Sequence, residues 1–133
     1  MQFDPQLALT LLPRVNPGRV RSGRAVGLRD GAVLALIAAG FSAVEIAAFQ
    51  ASNIKMENRW VVVLYYRNDA PWFVTLPGNL GARLVAWLTE TQLWESPEPL
   101  FQGCRGPLTP MGIWKIFERY RKLQSKPAYR KAA

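Results

Sequence analysis

The alternation of apolar and polar positions divides the chain into four helical segments and one β-hairpin. The first helix is indicated by a continuous run of Ala, Leu, Val and Ile over residues 30–39. A helix that is apolar on every side is expected to be buried. We expect Asp30 near the start of this helix and Gly40 at its end.

A second helix and the hairpin are predicted next along the chain. Ser42 precedes Glu45 by three residues, the spacing of a capping box, which predicts a helix over residues 43–51. Aromatic and β-branched residues then dominate residues 59–66 and 72–76, with a polar turn between them. This pattern predicts two antiparallel strands.

Two further helices complete the predicted elements. Leu and Val at helical spacing indicate a helix over about residues 80–91. Thr109 offers a capping oxygen and Pro110 follows it, which predicts the start of the last helix. The loop between these helices is expected to insert Leu100 and Phe101 into the core. The predicted fold class is α+β, mostly α: a helical domain with a small antiparallel β-hairpin or sheet.

Length and composition are typical of one folded domain. The chain has 133 residues, half of them hydrophobic, with five Trp, four Tyr and six Phe, so it can bury a real core. Its first part is rich in Pro, Gly and Arg. We therefore expect a basic N-terminal arm or linker over residues 1–28, a domain over residues 29–124 and a basic flexible tail over residues 125–133.

The net charge of +8 is concentrated at the two ends of the chain. Residues 1–29 hold five Arg against one Asp, and residues 115–131 hold seven Lys or Arg against one Glu, whereas the stretch between them is slightly acidic. Basic ends of this kind suit a polyanion such as nucleic acid. The alternative for each residue taken singly is an ordinary solvated charge.

Several chemistries are excluded by composition. The chain has no histidine and a single cysteine, Cys104, so it can form no internal disulfide, Cys/His zinc cluster or Ser-His-Asp triad. We see no metal or cofactor motif and expect no cofactor. There is no signal-peptide pattern, and Gly and polar residues interrupt the apolar run, so we expect a cytoplasmic protein without a membrane partner.

The order of these elements resembles the first part of the catalytic domain of tyrosine recombinases, the phage integrase family. The segment RDGAVLALIAAGFSAVEIAAFQASNI, residues 29–54, resembles the stretch with which that domain opens. A hairpin ending in VTLP at residues 74–77 follows, then PLF at 99–101 and PLT at 107–109, in the family's order. The resemblance covers residues 29–123 and rests on the order of these stretches, since each one alone is common.

The resemblance implies a DNA-cutting chemistry that this chain lacks. The family uses a tyrosine nucleophile, two arginines on the phosphate, a hairpin lysine as acid and a histidine-rich box. Here Ser42 stands in place of the first arginine, and Arg67, whose pKa is too high for proton donation at neutral pH, stands in place of the lysine. We expect Tyr120 in the core and Tyr129 in the tail. The expectation is therefore a truncated, catalytically inactive domain.

DNA binding without cleavage is the leading hypothesis for function. Its candidate contacts to double-stranded DNA are nine basic residues: Arg14, Arg19, Arg21, Arg24, Arg67, Lys115, Arg119, Arg121 and Lys122. Contacts to phosphate position a protein without reading sequence. By family analogy such a protein would occupy a recombination site, or regulate a mobile element, in DNA integration and recombination.

Two alternatives stay open. One is a protein-interaction module that pairs with an intact recombinase or with itself through an exposed apolar face. Its natural anchors are the five tryptophans: Trp60, Trp72, Trp87, Trp94 and Trp114. The other is a split enzyme whose partner chain supplies the histidine box and the tyrosine.

Overall fold

The structure, a computed structural model, describes residues 2–19, 23–103 and 105–125 of the chain. Within these ranges the elements are α1 (Pro5–Leu11), α2 (Arg24–Ala38), α3 (Ala43–Ala48), β1 (Ile54–Glu57), β2 (Trp60–Arg67), β3 (Ala70–Thr75), α4 (Gly78–Thr91), β4 (Gln102–Gly103), β5 (Gly106–Pro107) and α5 (Pro110–Ser125). The prediction of an α+β, mostly helical fold with a small antiparallel sheet is confirmed.

Helix α2 lies at the centre of the fold, because α1, α4 and α5 all pack against it. Its residues from Gly27 to Ile37 are buried except for Arg29, so the predicted buried helix is confirmed. The end of the helix is also as predicted. Gly40 has a φ of +102°, which suits a residue without Cβ, and its amide donates to the carbonyl of Ile37 at 3.0 Å.

The expectation that this helix starts near Asp30 is wrong, since α2 begins at Arg24. Gly23 adopts a φ of +109° and turns the chain into the helix. Leu28 is buried in the core, so tertiary packing holds the first turns. Asp30 therefore lies inside the helix rather than at its exposed end, and its side chain is buried.

The described part of the N-terminal segment is folded onto the helices. The carboxylate of Asp4 accepts hydrogen bonds from the amides of Gln6 and Leu7 at 3.1 and 3.2 Å, and Pro5 occupies the first position of α1. Helix α1 and the turn after it bury four apolar side chains: Ala8, Leu11, Leu12 and Val15. Burial of these side chains ties the segment to the core.

This packing corrects the domain boundaries expected from the sequence. The junction expected between an arm (residues 1–28) and the domain (residues 29–124) falls inside α2. The arm is wrong for the residues that the structure describes, because apolar side chains hold them against the helices. Of the tail expected over residues 125–133, only Ser125, at the end of α5, lies within the described residues.

A three-stranded antiparallel sheet in the order β1-β2-β3 contains the predicted hairpin. Strands β2 and β3 are joined by Asn68 and Asp69, which both have positive φ, as a type I′ turn requires. The sequence does not predict strand β1, because its four residues are too few to establish an alternating pattern. It adds to the free edge of β2, with Ile54 opposite Val63.

One face of the sheet packs on the helices. Ile54, Val61, Val63 and Leu76 belong to the buried core. Helix α4 comes so close to β2 that a Cβ atom added to Gly81 would lie 3.0 Å from a methyl group of Val61. The missing side chain at Gly81 therefore permits the approach of α4 to the sheet.

The C-terminal elements close the core as predicted. Leu100 and Phe101 are buried, and the indole Nε1 of Trp87 donates to the carbonyl of Leu100 at 2.8 Å. The amide of Gly112 donates to Oγ1 of Thr109 at 3.0 Å, which confirms the predicted cap of α5. None of the helices in the described ranges is both long enough and apolar enough to cross a membrane.

We predict that Gly81→Ala destabilises the fold by about 1–3 kcal/mol, because the added methyl group forces Val61 and α4 apart. Gly78→Ala, in the same helix, is the matched control, since nothing lies within 4 Å of a Cβ there. We expect this control to be neutral, or to stabilise the fold by less than about 1 kcal/mol. Urea unfolding followed by tryptophan fluorescence measures both. Equal effects of the two variants would contradict this packing.

Candidate nucleic-acid-binding surface

A buried carboxylate joins α2 to α5. The side chain of Asp30 is fully buried. Its Oδ1 accepts hydrogen bonds from Nε and Nη2 of Arg29 at 3.3 and 3.2 Å. Its Oδ2 accepts one from the hydroxyl of Tyr120 at 2.8 Å and one from the guanidinium of Arg119. Both oxygens are thus satisfied inside the fold, as a buried charge requires.

Tyr120 is a core residue whose hydroxyl donates a hydrogen bond to Asp30. The prediction that it lies in the core is confirmed, because only 8% of its surface is exposed. Burial, together with the charge of Asp30 and the hydrogen bond to it, raises the pKa of Tyr120 to about 12. The hydroxyl therefore stays protonated and donates to Asp30 at neutral pH.

The solvent side of α5 carries a line of cations. Lys115, Arg119 and Lys122 are spaced by four and three residues, so they share one face of the helix over a length of about 10 Å. All three are exposed. The other side of the helix is buried through its apolar residues: Ile113, Ile116, Phe117 and Tyr120. Packing of that side on the core directs the line of cations outward.

Positive charge is in excess on this part of the molecule. The α5 basic surface, as we name it, consists of Arg29, Lys115, Arg119, Arg121 and Lys122. Two carboxylates contact its members. Asp30 lies between two of the arginines, and Glu118 accepts hydrogen bonds from Arg121 at 2.8 and 2.7 Å. These five cations and the two described carboxylates together carry a net charge of +3.

The candidate contacts near the N-terminus do not join α5. Nε of Arg24 pairs with Oε1 of Glu90 in α4 at 3.1 Å, in an exposed ion pair. Arg14 is exposed at the end of the turn that follows α1. Arg19 ends a short 3₁₀ turn, but its side chain and the whole of Arg21 lie outside the described residues.

Arg67 is engaged with α3. The predicted capping box is confirmed: the amide of Glu45 donates to Oγ of Ser42 at 3.1 Å, and the amide of Ser42 donates to Oε1 of Glu45 at 3.0 Å. The helix itself ends at Ala48 rather than at residue 51. Nε and Nη2 of Arg67 each donate to one oxygen of the same carboxylate at 3.0 Å. Ser42 and Arg67 thus both contact the carboxylate of Glu45.

This pairing limits what Arg67 can do. Partial burial opposes ionisation of Glu45, but the hydrogen bonds from Arg67 and from the Ser42 amide outweigh it and lower the pKa of that carboxyl. A phosphate would have to compete with Glu45 for the guanidinium. An exposed pair of this kind is worth about 1 kcal/mol or less, so the competition is possible but reduces any gain.

Two arginines that are not among the candidate DNA contacts, Arg29 and Arg83, are held by hydrogen bonds to other parts of the fold. Arg29 contacts Asp30 and also donates to the carbonyl of Gln102 at 3.4 Å, which brings β4 beside α2. Arg83 donates to the carbonyls of Leu12 and Val15, both at 2.9 Å, and burial lowers its pKa. The only sequence signal for Arg29 was the Arg-Asp pair next to an otherwise apolar run.

The five tryptophans separate into two groups. Trp87 is buried, and Trp94 and Trp114 are partly buried against the core. Trp60 and Trp72, on the sheet, are more than half exposed. Only these two are therefore available as anchors for a partner.

Comparison with known proteins finds no matching family model, no matching curated protein and no matching solved structure. Within the described residues, no group of three or more Cys, Asp or Glu side chains is placed to hold a metal ion.

We predict that Tyr120→Phe lowers the free energy of unfolding by about 1.5–3 kcal/mol, because it removes one donor from the buried carboxylate of Asp30. Tyr66→Phe is the matched control, since Tyr66 is 73% exposed. We expect this control to change stability by less than about 0.5 kcal/mol. Urea unfolding at neutral pH measures both variants.

The pH dependence of this difference is its second readout. The pKa of Tyr120 is raised from 10.0 to about 12 by folding, so the stability it contributes is present below pH 10 and is lost as the pH rises through 12. The deficit of Tyr120→Phe relative to the native chain should therefore shrink between pH 10 and 12. A deficit that stays constant across this window would contradict the hydrogen bond to Asp30.

Proposed function

We propose that this chain binds double-stranded DNA without cleaving it, and that the α5 basic surface is the site of contact. The observation that carries the proposal is the net charge of +3 over the described residues of that surface. Lys and Arg that neutralise phosphates release the counterions condensed on DNA, which drives binding. Contacts of this kind position a protein and do not read the bases.

Arg119 is the anchor of this proposed contact. Asp30 holds one side of its guanidinium, while 47% of the side chain is exposed to solvent. The remaining N–H groups are thereby oriented before DNA arrives, and a guanidinium offers donors in a fork that matches phosphate. Duplex DNA carries one negative charge about every 1.7 Å along its axis, so a line of cations about 10 Å long always faces several phosphates.

Lys115 and Lys122 extend the contact by one turn of helix on either side of Arg119. Each is exposed and presents a compact charge on a flexible stem, so each can follow a phosphate without a fixed geometry. Arg29, between α2 and β4, enlarges the surface beyond a single helix. The proposed footprint therefore combines one oriented arginine with adaptable lysines.

The resemblance to tyrosine recombinases supports the same proposal. The elements from α2 to α5 follow the order that the resemblance implies. Ser42 and Arg67, the positions at which the resemblance implies a catalytic arginine and lysine, both contact Glu45. On this proposal the chain is a recombinase-like protein of the cytoplasm without the family's catalytic residues, which occupies a recombination site or regulates a mobile element in DNA integration.

The proposal excludes cleavage because the reacting groups are missing. Ser42 brings no charge to a phosphate, and Arg67 is neutralised by Glu45. The chain has no histidine to form the family's histidine-rich box. Charge that develops on a phosphate needs fixed cations, and the leaving oxygen needs an acid.

We predict that Lys115→Gln/Lys122→Gln weakens binding to a fluorescent duplex of random sequence and reduces its salt dependence. Each phosphate contact contributes about 0.9 to the slope of log K against log salt, so two lost contacts should lower the slope by about 1.8. Fluorescence anisotropy between about 50 and 200 mM salt measures the slope.

The matched control removes a partly exposed and an exposed cation from the sheet region instead, in Lys55→Gln/Arg59→Gln. Both double variants have the same net charge, so a general electrostatic effect would weaken them equally. We expect the control to retain the native slope within about 0.5. Equal losses in both would contradict α5 as the contact, and absence of native binding at low salt would overturn the proposed function.

We also predict that Ser42→Arg does not convert the chain into a nuclease. The substitution restores one cation but supplies neither the histidine box nor a placed nucleophile. Conversion of supercoiled plasmid to the nicked form, followed by gel electrophoresis, is the measurement, with Ser42→Ala as the control. Both variants lose a helix cap worth about 1 kcal/mol, so circular dichroism must show that they are folded. Nicking by Ser42→Arg above that control would refute the proposed loss of catalysis.

A further inference from the structure

The guanidinium of Arg119 is restrained by two groups and still has free donors. Its Nη2 donates to the carboxylate of Asp30, and its carbon lies over the ring of Tyr120, 5.2 Å from the ring centroid. Nε and Nη1 make no hydrogen bond within the described residues, although 47% of the side chain is exposed. The side chain is therefore held at one nitrogen and open to a ligand at the other two.

The carboxylate of Asp30 is itself fixed, so it holds Arg119 in one direction. Asp30 is fully buried in α2. One of its oxygens accepts two hydrogen bonds from Arg29, and the other accepts one from the hydroxyl of Tyr120. Arg29 also donates to the carbonyl of Gln102, which ties this cluster to β4. An acceptor with so many partners cannot follow the movements of an exposed side chain.

The other ion pair of α5 lacks this restraint. Arg121 is exposed to nearly the same extent as Arg119, 45% against 47% of the side chain. Its partner Glu118 belongs to the same helix, and within the described residues only Arg121 donates a hydrogen bond to it. Such a pair consists of two long side chains that can move together. Orientation by a buried group of another helix is thus a property of Arg119.

Orientation before binding raises the affinity for a phosphate. A long side chain that becomes ordered only on binding costs a factor of about two to ten in affinity. The guanidinium of Arg119 has already lost much of this freedom on folding, because Asp30 and Tyr120 restrain it. Its free donors can then meet the oxygens of one phosphate in the fork geometry that suits them.

The charge of Asp30 acts in the opposite direction. A carboxylate beside a phosphate opposes binding by repulsion. Two guanidiniums share this carboxylate, however, so Arg29, Asp30 and Arg119 together keep a net charge of +1. The acid therefore orients a cation without making this part of the surface negative.

We propose that Asp30 is a positioning residue for DNA: a buried acid that strengthens the binding of a backbone phosphate by orienting Arg119. The proposal rests on the proposed function, because Arg119 belongs to the α5 basic surface. Asp30 does not touch the phosphate, and its whole effect on binding passes through Arg119. Orientation and charge then predict opposite results when the carboxylate is removed.

Asp30→Asn tests these opposite predictions, because it keeps the shape of the side chain and raises the net charge by one. Charge alone predicts tighter binding to a fluorescent duplex of random sequence. Loss of orientation predicts binding that is weaker by about two- to tenfold at constant salt, measured by fluorescence anisotropy. Asp30→Asn that is folded by circular dichroism and binds at least as tightly as the native chain overturns the proposal.

The matched control for charge is Glu90→Gln, which removes an exposed carboxylate from α4. It raises the net charge by the same amount as Asp30→Asn and lies outside the α5 basic surface. We expect it to bind the duplex as tightly as the native chain or more tightly. Equal weakening in Glu90→Gln and Asp30→Asn would contradict a role for orientation.

A double-mutant cycle separates positioning from a merely structural role. Arg119→Gln removes the oriented cation and should itself weaken binding. If Asp30 acts through Arg119, Asp30→Asn/Arg119→Gln should bind no more weakly than Arg119→Gln. A structural role for Asp30 would weaken binding by the same factor in both backgrounds, and that result would refute the proposal.

Nitrogen-15 relaxation of the arginine Nε–H groups in the native chain, without DNA, decides the matter even if Asp30→Asn does not fold. We expect an order parameter near the rigid value of about 0.85 for Arg119, and below about 0.6 for a flexible arginine. Arg24 is the comparison, since its side chain is 67% exposed and its partner Glu90 is exposed as well. Equal mobility of the two arginines would contradict orientation by Asp30.

The outcomes for the two proposals are distinct. A native chain that does not bind the duplex at low salt overturns the proposed function and, with it, the role of Asp30. Native binding that depends on the lysines of α5 but is not weakened by Asp30→Asn overturns the positioning role alone.

Discussion

The carboxylate of Asp30 sits inside the fold, where an unpaired charge would be prohibitively costly, and every donor it needs comes from a neighbouring side chain. Arg29 supplies one pair of donors from α2, whereas Arg119 and Tyr120 supply the others from α5. Helix α5 must therefore lie against α2 in one rotation. That rotation turns its apolar residues inward and leaves its lysines at the surface.

The net charge of +8 does not show where on the surface positive charge is in excess, because some cations are paired with carboxylates. Arg24, Arg67 and Arg121 each face a glutamate, so their charges are largely compensated. Around Asp30, by contrast, two arginines share one carboxylate, and exposed lysines lie close by. Within the described residues, α5 therefore keeps a net positive charge while the hairpin arginine Arg67 is paired, which is why the proposed contact with DNA is placed on α5 and not on the hairpin.

Local chemistry determined the elements that the sequence alone could predict. The capping box at Ser42, the cap at Thr109 and the turn at Asn68 each depend on residues within a few positions of one another. Local sequence patterns therefore predict all three features. The apolar run of α2 likewise showed that the helix is buried, although its first turns were missed because packing, not composition, holds them.

Tertiary structure decided which distant groups meet. Asp30 and Arg119 are 89 residues apart, and Glu45 and Arg67 are 22 apart, so no local pattern pairs them. The same holds for aromatic residues: Trp87 and Trp60 have the same affinity for a core, but only the layering of helices on one face of the sheet buries the first and exposes the second. A sequence shows that a side chain needs burial or a partner, whereas the arrangement of the elements in space decides whether it obtains one.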